Sequence, residues 1–450
     1  MIGDQVQALR DAFEGPVHGR GDDGYDAARQ PWQLKVDPHP ALVVEAAGTA
    51  DVQRAIRTAR DGGMPFAVQS TGHGAVARAD GGVLLKTTAM TGATVDPERR
   101  VARVAPGTLW SDVIAAAAPH GLAPLSGSSP TVGVVGYTLG GGAGWLSRLH
   151  GYAADSVIRA EVVTADGELV TATADEQPDL FWALRGGGGN FGVLTELEFR
   201  LHPVDRVYAG MAMFEADRAA DALAVYREWA RDEPDELNTS LIAMTVPPVP
   251  MFPEEVRGRR VLMLRALYVG SADAGERAIA PLRQAAGTPL LDAFREMPYP
   301  ETASLGPPPM PLASAMRIEL FHELTDDVIG IGLGANGAVA GVEFRHWGGA
   351  PARPDAGAGP AGHRDVPFSV VVGAMAGDGS EGSRLQAAVD KVGDELAPHS
   401  TGGTFLNFLG DPARTPSAYT PEDYRRLAEV KREYDPENVF DGNLNIPPAG

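Results

Sequence analysis

The chain has 450 residues, length enough for roughly two or three cores, and its 44% hydrophobic and 22% charged residues are ordinary for a globular protein. A net charge of −21 argues against nucleic-acid or anionic-membrane partners, both of which need basic surface. The absence of cysteine excludes disulfides, thiolate catalysis and cysteine-ligated metal centres, and no H-E-x-x-H or G-x-S-x-G supports a zincin or an α/β-hydrolase, so no metal site is expected.

Taken in chain order, Val52 to Gly62 has helical spacing and leads into a strand-like apolar run, Pro65 to Val68. Val101 to Val104 and Glu161 to Thr164 read as strands, the second turning at Ala165-Asp166-Gly167 into Glu168 to Thr173 as a hairpin. Leu109 to His120 reads as a helix with Gly121 just past its end. After Val204 the texture changes. Arg206 to Phe214, Val261 to Val269, Met316 to Phe321, Val342 to Trp347 and Phe368 to Met375 are strand candidates. Ala216 to Arg231, Gly275 to Ala286 and Gly382 to Leu396 are helix candidates, and the mixture predicts a sheet covered by helices on one face. Pro307 to Pro311 and Gly348 to Gly362 read as loops, and a charged helix from Pro421 to Tyr434 precedes an extended tail.

Three segments carry chemistry. Gln69-Ser70-Thr71-Gly72-His73-Gly74 is a tight turn after a strand, whose consecutive backbone N–H groups suit a phosphate and hold a histidine against its owner. Ser129-Pro130-Thr131-Val132-Gly133 runs on through Gly136, Tyr137, Gly140, Gly141 and Gly142, where missing Cβ atoms admit a flat or polyphosphate ligand to the main chain. Phe181 to Val193, with glycines 186–189 and 192, is a third loop with aromatic anchors. None of these is a Rossmann fingerprint, because no G-x-G-x-x-G opens a helix after the first strand. Together they predict one extended cofactor.

In order and spacing these segments resemble the flavin domain of the berberine-bridge-enzyme-like oxidases, within the vanillyl-alcohol-oxidase superfamily. Asp23-Gly24-Tyr25-Asp26, Trp32, Pro40-Ala41, the turn ending in His73, the Pro-Thr-Val-Gly segment, Leu184 to Gly192, and Tyr434 to Phe440 with Asn443 and Ile446-Pro447-Pro448 carry the likeness. It spans both ends of the chain. It implies an α+β fold with a PCMH-type two-part FAD-binding domain (1–204), a substrate domain with an antiparallel sheet covered by helices (205–415), and a C-terminal return to the FAD domain (416–450).

The resemblance also implies roles. His73 would carry FAD through the 8α-methyl of the ring, with Gln69, Ser70, Thr71, Gly72, Gly74, Ser129, Thr131, Val132, Gly133, Gly136, Tyr137, Gly140, Gly141, Gly142, Val193 and Asn443 around the cofactor. Many members add a cysteine tether where this chain has Ser129, so a single link is expected. Val132 stands where family oxidases carry a small aliphatic residue admitting oxygen. A Tyr-x-Asn motif reads Phe405-Leu406-Asn407 here, so the tyrosine that assists as base is absent and Asn407 alone is left to contact ring or substrate. Another base is needed for hydride transfer. Glu343 is the first candidate and Glu319 the second, with Tyr137 adding a hydroxyl. Alternation puts residues 343, 345 and 347 on one face of a strand, facing either a cleft or solvent.

The expected function is an FAD-dependent oxidase with one histidyl link, taking hydride from a small organic substrate and reducing oxygen to peroxide. Met211, Met213, Met244, Met263 and Phe321 favour a hydrophobic or aromatic secondary metabolite. A carbohydrate or alcohol oxidase of the same fold, a flavin-dependent oxygenase or cyclase, and a flavin-bound protein without turnover are the alternatives. No apolar run reaches the roughly 18 residues of a membrane span, and Met1-Ile2-Gly3-Asp4 lacks a basic, apolar leader, so a cytoplasmic monomer or homodimer is expected.

Overall fold

In a computed structural model the described residues are 10, 12–76, 79–250, 252–306, 310–335, 337 and 339–450; Met1 to Asp4 and residues 307–309 of the Pro307 to Pro311 tract lie outside them. The first sheet holds β1 (Val17–Gly19), β2 (Leu42–Glu45), β3 (Phe66–Gln69) and β4 (Val83–Lys86) in the order β1-β2-β4-β3. β2 and β3 both run parallel to β4, and parallel pairing needs a crossover. The helix Thr49–Asp61 is that crossover, burying Val52, Ala55, Ile56 and Ala59 along one face.

β5 (Ala93–Asp96), β6 (Val101–Val104), β8 (Val157–Val163), β9 (Leu169–Ala172) and β10 (Val193–Arg200) form an antiparallel sheet in the order β5-β6-β10-β8-β9, beside a short pair of β7 (Leu122–Ala123) and β11 (His202–Pro203). The β8–β9 hairpin turns through Ala165–Gly167 as the spacing predicts. The expected helix from Leu109 is Trp110–Ala117 followed by a 3-10 turn, and Gly121, at φ 64°, ends it.

The third sheet is antiparallel throughout. It holds β12 (Arg206–Glu215), β13 (Leu237–Thr245), β14 (Arg260–Tyr268), β15 (Pro289–Asp292), β16 (Arg295–Pro298), β17 (Ala313–Phe321), β18 (Gly341–His346) and β19 (Phe368–Ala376). The order is β15-β12-β14-β13-β18-β19-β17, with β16 also pairing β12. Helices Ala219–Trp229, Ala272–Ala286, Asp326–Gly334 and Gly382–Leu396 cover one face, packing on residues such as Leu241, Leu264, Val342, Phe344 and Val370. The architecture is therefore α+β, with the helix-covered sheet that the pattern predicts and the antiparallel strands that the resemblance implies. Because side chains alternate along each strand, burying that set under helices turns Glu343, Arg345, Met263 and Ile242 to the other face.

The helix Pro421–Tyr434 is capped by Thr420, whose hydroxyl accepts from the Asp423 N–H, and it packs against the helix Pro178–Leu184 rather than on the third sheet.

Candidate active site

The helix-free face of the third sheet meets the glycine-rich loops of the first two, and a cavity of about 1310 Å3 runs between them. Typical small-molecule sites hold roughly 300–1,000 Å3, so an extended cofactor and a second molecule fit together. One end is bounded by residues 69–75, Gly127 to Ser129 and Gly188 to Asn190, the other by Met211, Met213, Met244 and Met263.

At the first end, His73 follows β3 and lies flat on Trp32, with ring centroids 4.0 Å apart and planes at 17°. Its Nδ1 is 2.8 Å from Thr71 Oγ1 and its Nε2 is 3.3 Å from Thr131 Oγ1. Ser129 Oγ extends this chain of hydroxyls, 3.1 Å from Thr131 Oγ1. Burial pulls the imidazole down to about 4, so the ring is neutral at physiological pH. The turn itself is held from the far end of the chain: Asn443 Oδ1 accepts the Val76 N–H (3.0 Å) and its Nδ2 donates to the Gly74 carbonyl (3.1 Å). Gln69 is buried beside it, while Ser70 Oγ is buried with no protein partner, 3.1 Å from where a Cβ on Gly133 would stand. Nothing protein lies within 4 Å of a Cβ built on Gly74, Gly136 or Gly189, all of which line the cavity. An orphaned hydroxyl beside open glycine backbone fits a phosphate-bearing, planar cofactor such as FAD. Val132 and Val193 line the same stretch.

Gly140 lines the cavity, but its neighbours Gly141 and Gly142 serve a different purpose from the expected one. Gly141 and Gly142 do not line the cavity; Gly141 (φ +106°) backs onto Phe405 and Ala361, and Gly142 (φ +75°) onto Tyr137 and Ala153. Their missing Cβ atoms make room for protein, not cofactor. Asn407 completes this packing: its Oδ1 accepts the Gly142 N–H (2.8 Å) and its Nδ2 donates to the Tyr137 carbonyl (3.0 Å). It positions the loop and is itself among the residues that line the cavity. Phe405 is 3% exposed and sits among Tyr152 and Trp347, with centroids 5.1 and 5.0 Å away. Position 405 thus faces an aromatic cluster rather than the cavity. Tyr137 does line the cavity, its hydroxyl buried without a partner, and burial holds the phenol protonated, above its usual range.

On the sheet side the two candidate carboxylates separate. Glu343 lines the cavity; Glu319 does not. The reason is strand parity: residues 314 and 316 of β17 face the cavity, whereas 317 and 319 face the helix layer. There Glu319, 2% exposed, accepts from both Nη atoms of Arg414 (2.9 and 3.0 Å) and from Arg317 Nε (2.8 Å). It is a buried ion triad with no path to a substrate. Phe321, on the same side, is core under the helices and not a substrate contact, whereas Met211, Met213, Met244 and Met263 all line the cavity. Glu343 Oε1 accepts from Arg265 Nη2 (2.9 Å) and from Arg345 Nη2 (2.8 Å) and Nε (3.2 Å). Burial alone would raise its pKa; Arg345 and Arg265 reverse that and bring it to about 2. A base so weak is poorly matched to neutral pH.

Two features escape a reading of the sequence. Arg265 sits on a strand whose pattern is apolar and joins Arg345 only through the β14-β13-β18 order. Lys431 reads as one of several charges on an exposed helix, yet it is fully buried with Asp435, donating to Asp435 Oδ2 (2.6 Å) and to the carbonyls of Asn190 (2.9 Å) and Phe440 (3.0 Å). Asn190 in turn accepts from the Ile446 N–H (2.9 Å) and donates to the Leu444 carbonyl (3.0 Å). These bonds lock the C-terminal tail onto the glycine loop beside the cavity.

Comparison with known proteins agrees with this geometry. Residues 40–173 match the family described as FAD binding domain, and residues 404–447 match the one described as berberine and berberine like. The chain is 31% identical to (R)-6-hydroxynicotine oxidase of Paenarthrobacter nicotinovorans, covering 98% of each chain. The crystal structure of 6-hydroxy-D-nicotine oxidase from Arthrobacter nicotinovorans superposes with a TM-score of 0.83 at 28% identity, over 97% of this chain and 98% of that one. Berberine bridge enzyme from Eschscholzia californica shares the fold, with a TM-score of 0.84 at 19% identity over 99% of both chains. With similarity along the full length and matches to both family models, the chain belongs to the berberine-bridge-enzyme-like family and is an FAD-linked oxidoreductase of the oxidase kind.

Proposed function

We propose that this protein holds FAD by a single covalent link from His73, takes hydride from an apolar or aromatic organic substrate and returns hydrogen peroxide from oxygen. Residues 1–204 and 416–450 hold the flavin in this reading, and 205–415 present the substrate face. The observation that carries it is the continuity of one cavity from His73 to the methionines of β12, β13 and β14. Bound there, FAD supplies a hydride acceptor that oxygen can re-oxidise.

The chain's own groups do the rest. His73 is neutral, the form whose ring nitrogen is nucleophilic, and Thr71, Thr131 and Trp32 fix its plane. Ser129 offers only a hydroxyl where a thiolate would be needed for a second tether, so one link is expected. Val132, small and at the cavity wall, leaves the approach for oxygen open. Glu343 is proposed as the proton acceptor, being the acid of the sheet face that lines the cavity. Its two arginine partners must be drawn off before it gains basicity, because each pKa unit of deficit is worth about 1.4 kcal/mol of driving force. Tyr137, protonated and unpartnered, is a hydrogen-bond donor rather than a base.

Acid precipitation of the purified protein tests this. The pellet should be yellow in the wild type and colourless in His73→Ala, and peroxide should accompany turnover. A colourless wild-type pellet over a yellow supernatant removes the covalent link, and a protein without flavin absorption removes the whole reading.

A further inference from the structure

We infer that the substrate carries a resonance-stabilised oxyanion, a carboxylate or an acidic enolate, on an otherwise apolar body, and that Arg265 and Arg345 receive it. The inference rests on the oxidase reading above only in taking the cavity beside the flavin as the substrate site.

The first support is a charge imbalance. A single oxygen of Glu343 serves two guanidinium groups, from Arg265 at 2.9 Å and Arg345 at 2.8 and 3.2 Å, leaving one positive charge uncompensated at the cavity wall. Among the described residues that line the cavity the other acid is Glu381, which has its own cation in Arg384 at 3.3 Å. An unmatched charge in a largely apolar enclosure is costly unless a ligand matches it. The second support is donor excess. Arg265 Nε, Trp145 Nε1 and the Tyr137 hydroxyl are buried without partners, all on cavity-lining residues, and each carries a proton to give. An acceptor-rich group satisfies them; an ammonium adds repulsion, and a neutral alcohol leaves the charge unmet.

Planarity decides the kind of anion. Arg265 lies over the Trp145 ring, 5.1 Å from its centroid, and Arg345 beside Phe408 (5.8 Å) and Trp347 (5.9 Å), so both forks are braced in orientation. Braced guanidinium groups match a planar oxyanion through paired hydrogen bonds. The remaining wall, with Met211, Met213, Ile242, Met244 and Met263, accepts hydrocarbon and adapts to its shape. The same geometry answers the difficulty with Glu343. A substrate oxyanion that takes over the arginines relieves the pull that holds Glu343 charged, restoring its basicity when substrate is present.

The test is calorimetric titration of the flavin-loaded protein near neutral pH with four probes: 4-phenylbutyrate, 2-acetylcyclohexane-1,3-dione as the acidic enol, neutral 4-phenylbutanamide and cationic 4-phenylbutylamine. At least one anion should bind about tenfold or more tightly than the amide, and the tighter of the two tells carboxylate from enolate. Arg265→Met and Arg345→Met should each abolish that preference while the amide affinity stays within about twofold; Arg→Lys at either position, which keeps charge but loses the fork, should fall between. Amide or amine binding as tight as both anions, no measurable anion binding, or an anion preference untouched in both Met variants overturns the inference. Flavin attachment is read separately by acid precipitation, so a protein that prefers anions but gives a colourless pellet sinks the covalent-link reading alone.

Discussion

Replacing Lys431 by Met removes a charge over which the fold has closed. All three ammonium protons are used, on Asp435 Oδ2 at 2.6 Å and on the carbonyls of Asn190 at 2.9 Å and Phe440 at 3.0 Å, and both side chains of the pair are 0% exposed. Burial pulls the lysine pKa down and Asp435 pulls it back up, the balance expected of a desolvated pair. Met keeps most of the apolar stem, so the change isolates the ammonium. Asp435 would still accept the Val439 and Phe440 N–H groups (2.7 and 2.9 Å) but would face the interior without a counter-charge. Breaking such a pair from one side costs about 3–5 kcal/mol; the two orphaned carbonyls belong to that loss and are not added to it. Each kcal/mol moves the midpoint by roughly 2–4 °C in a unit of 150–250 residues, so scanning calorimetry of the flavin-loaded protein should show a fall of about 10 °C. Lys431→Met combined with Asp435→Leu should cost less than the two singles summed, because the second change removes the stranded charge. A Lys431→Met midpoint within about 2 °C of wild type would show that water reaches the pair and would refute the reasoning.

Glu319→Gln should lower the thermal midpoint, by breaking a buried triad with Arg317 and Arg414, yet leave kcat per bound flavin within about twofold; lost turnover in a protein of unchanged stability would return Glu319 to the list of bases. Thr131→Val cuts the hydroxyl that links Ser129 to His73, and flavin attachment followed by the fraction of yellow acid pellet over time should slow while the fold is kept. Gly144→Ala puts a Cβ 1.9 Å from the Ser126 carbonyl and 3.0 Å from the Tyr137 hydroxyl, and the backbone contact cannot yield, so little folded, flavin-loaded protein should be recovered. Glu343 has a folded pKa of about 2, below its ordinary 4.5, so its contribution to stability is present above pH 4.5 and is lost as pH falls through about 2. Urea midpoints of wild type and Glu343→Gln should therefore converge across that window; parallel curves would mean the arginines do not hold it in solution.

Much of this protein is legible from residues near one another in the chain. The helix Pro421–Tyr434 has a Thr cap, an initial proline and a closing Asp-Pro, all local signals, and its ends match the pattern. The β8–β9 hairpin and the strand-turn-histidine segment are likewise short-range, and the lack of cysteine by itself excludes a cysteinyl link at position 129. β13 is not legible: Asn238, Thr239 and Ser240 break its apolar alternation because Thr239 and Ser240 are buried against partners that only the assembled sheet supplies. The helix Asp326–Gly334 is hidden by glycines at 330, 332 and 334, one of which is needed because a Cβ on Gly332 would come within 2.4 Å of Phe344.

At the site the division is sharper. Sequence by itself determines which residue types are available: a histidine in a tight turn after a strand, clusters of glycine, and two glutamates on strands. Only the tertiary structure decides which of them meet. Strand parity sends Glu343 into the cavity and Glu319 into an ion triad, and sheet order brings Arg265 from β14 to Arg345 on β18. Packing also turns Gly141 and Gly142 from cofactor contacts into room for Phe405 and Tyr137. The physical reason is that a side chain's charge, accessibility and acidity are set by neighbours distant in the chain, which no local pattern encodes.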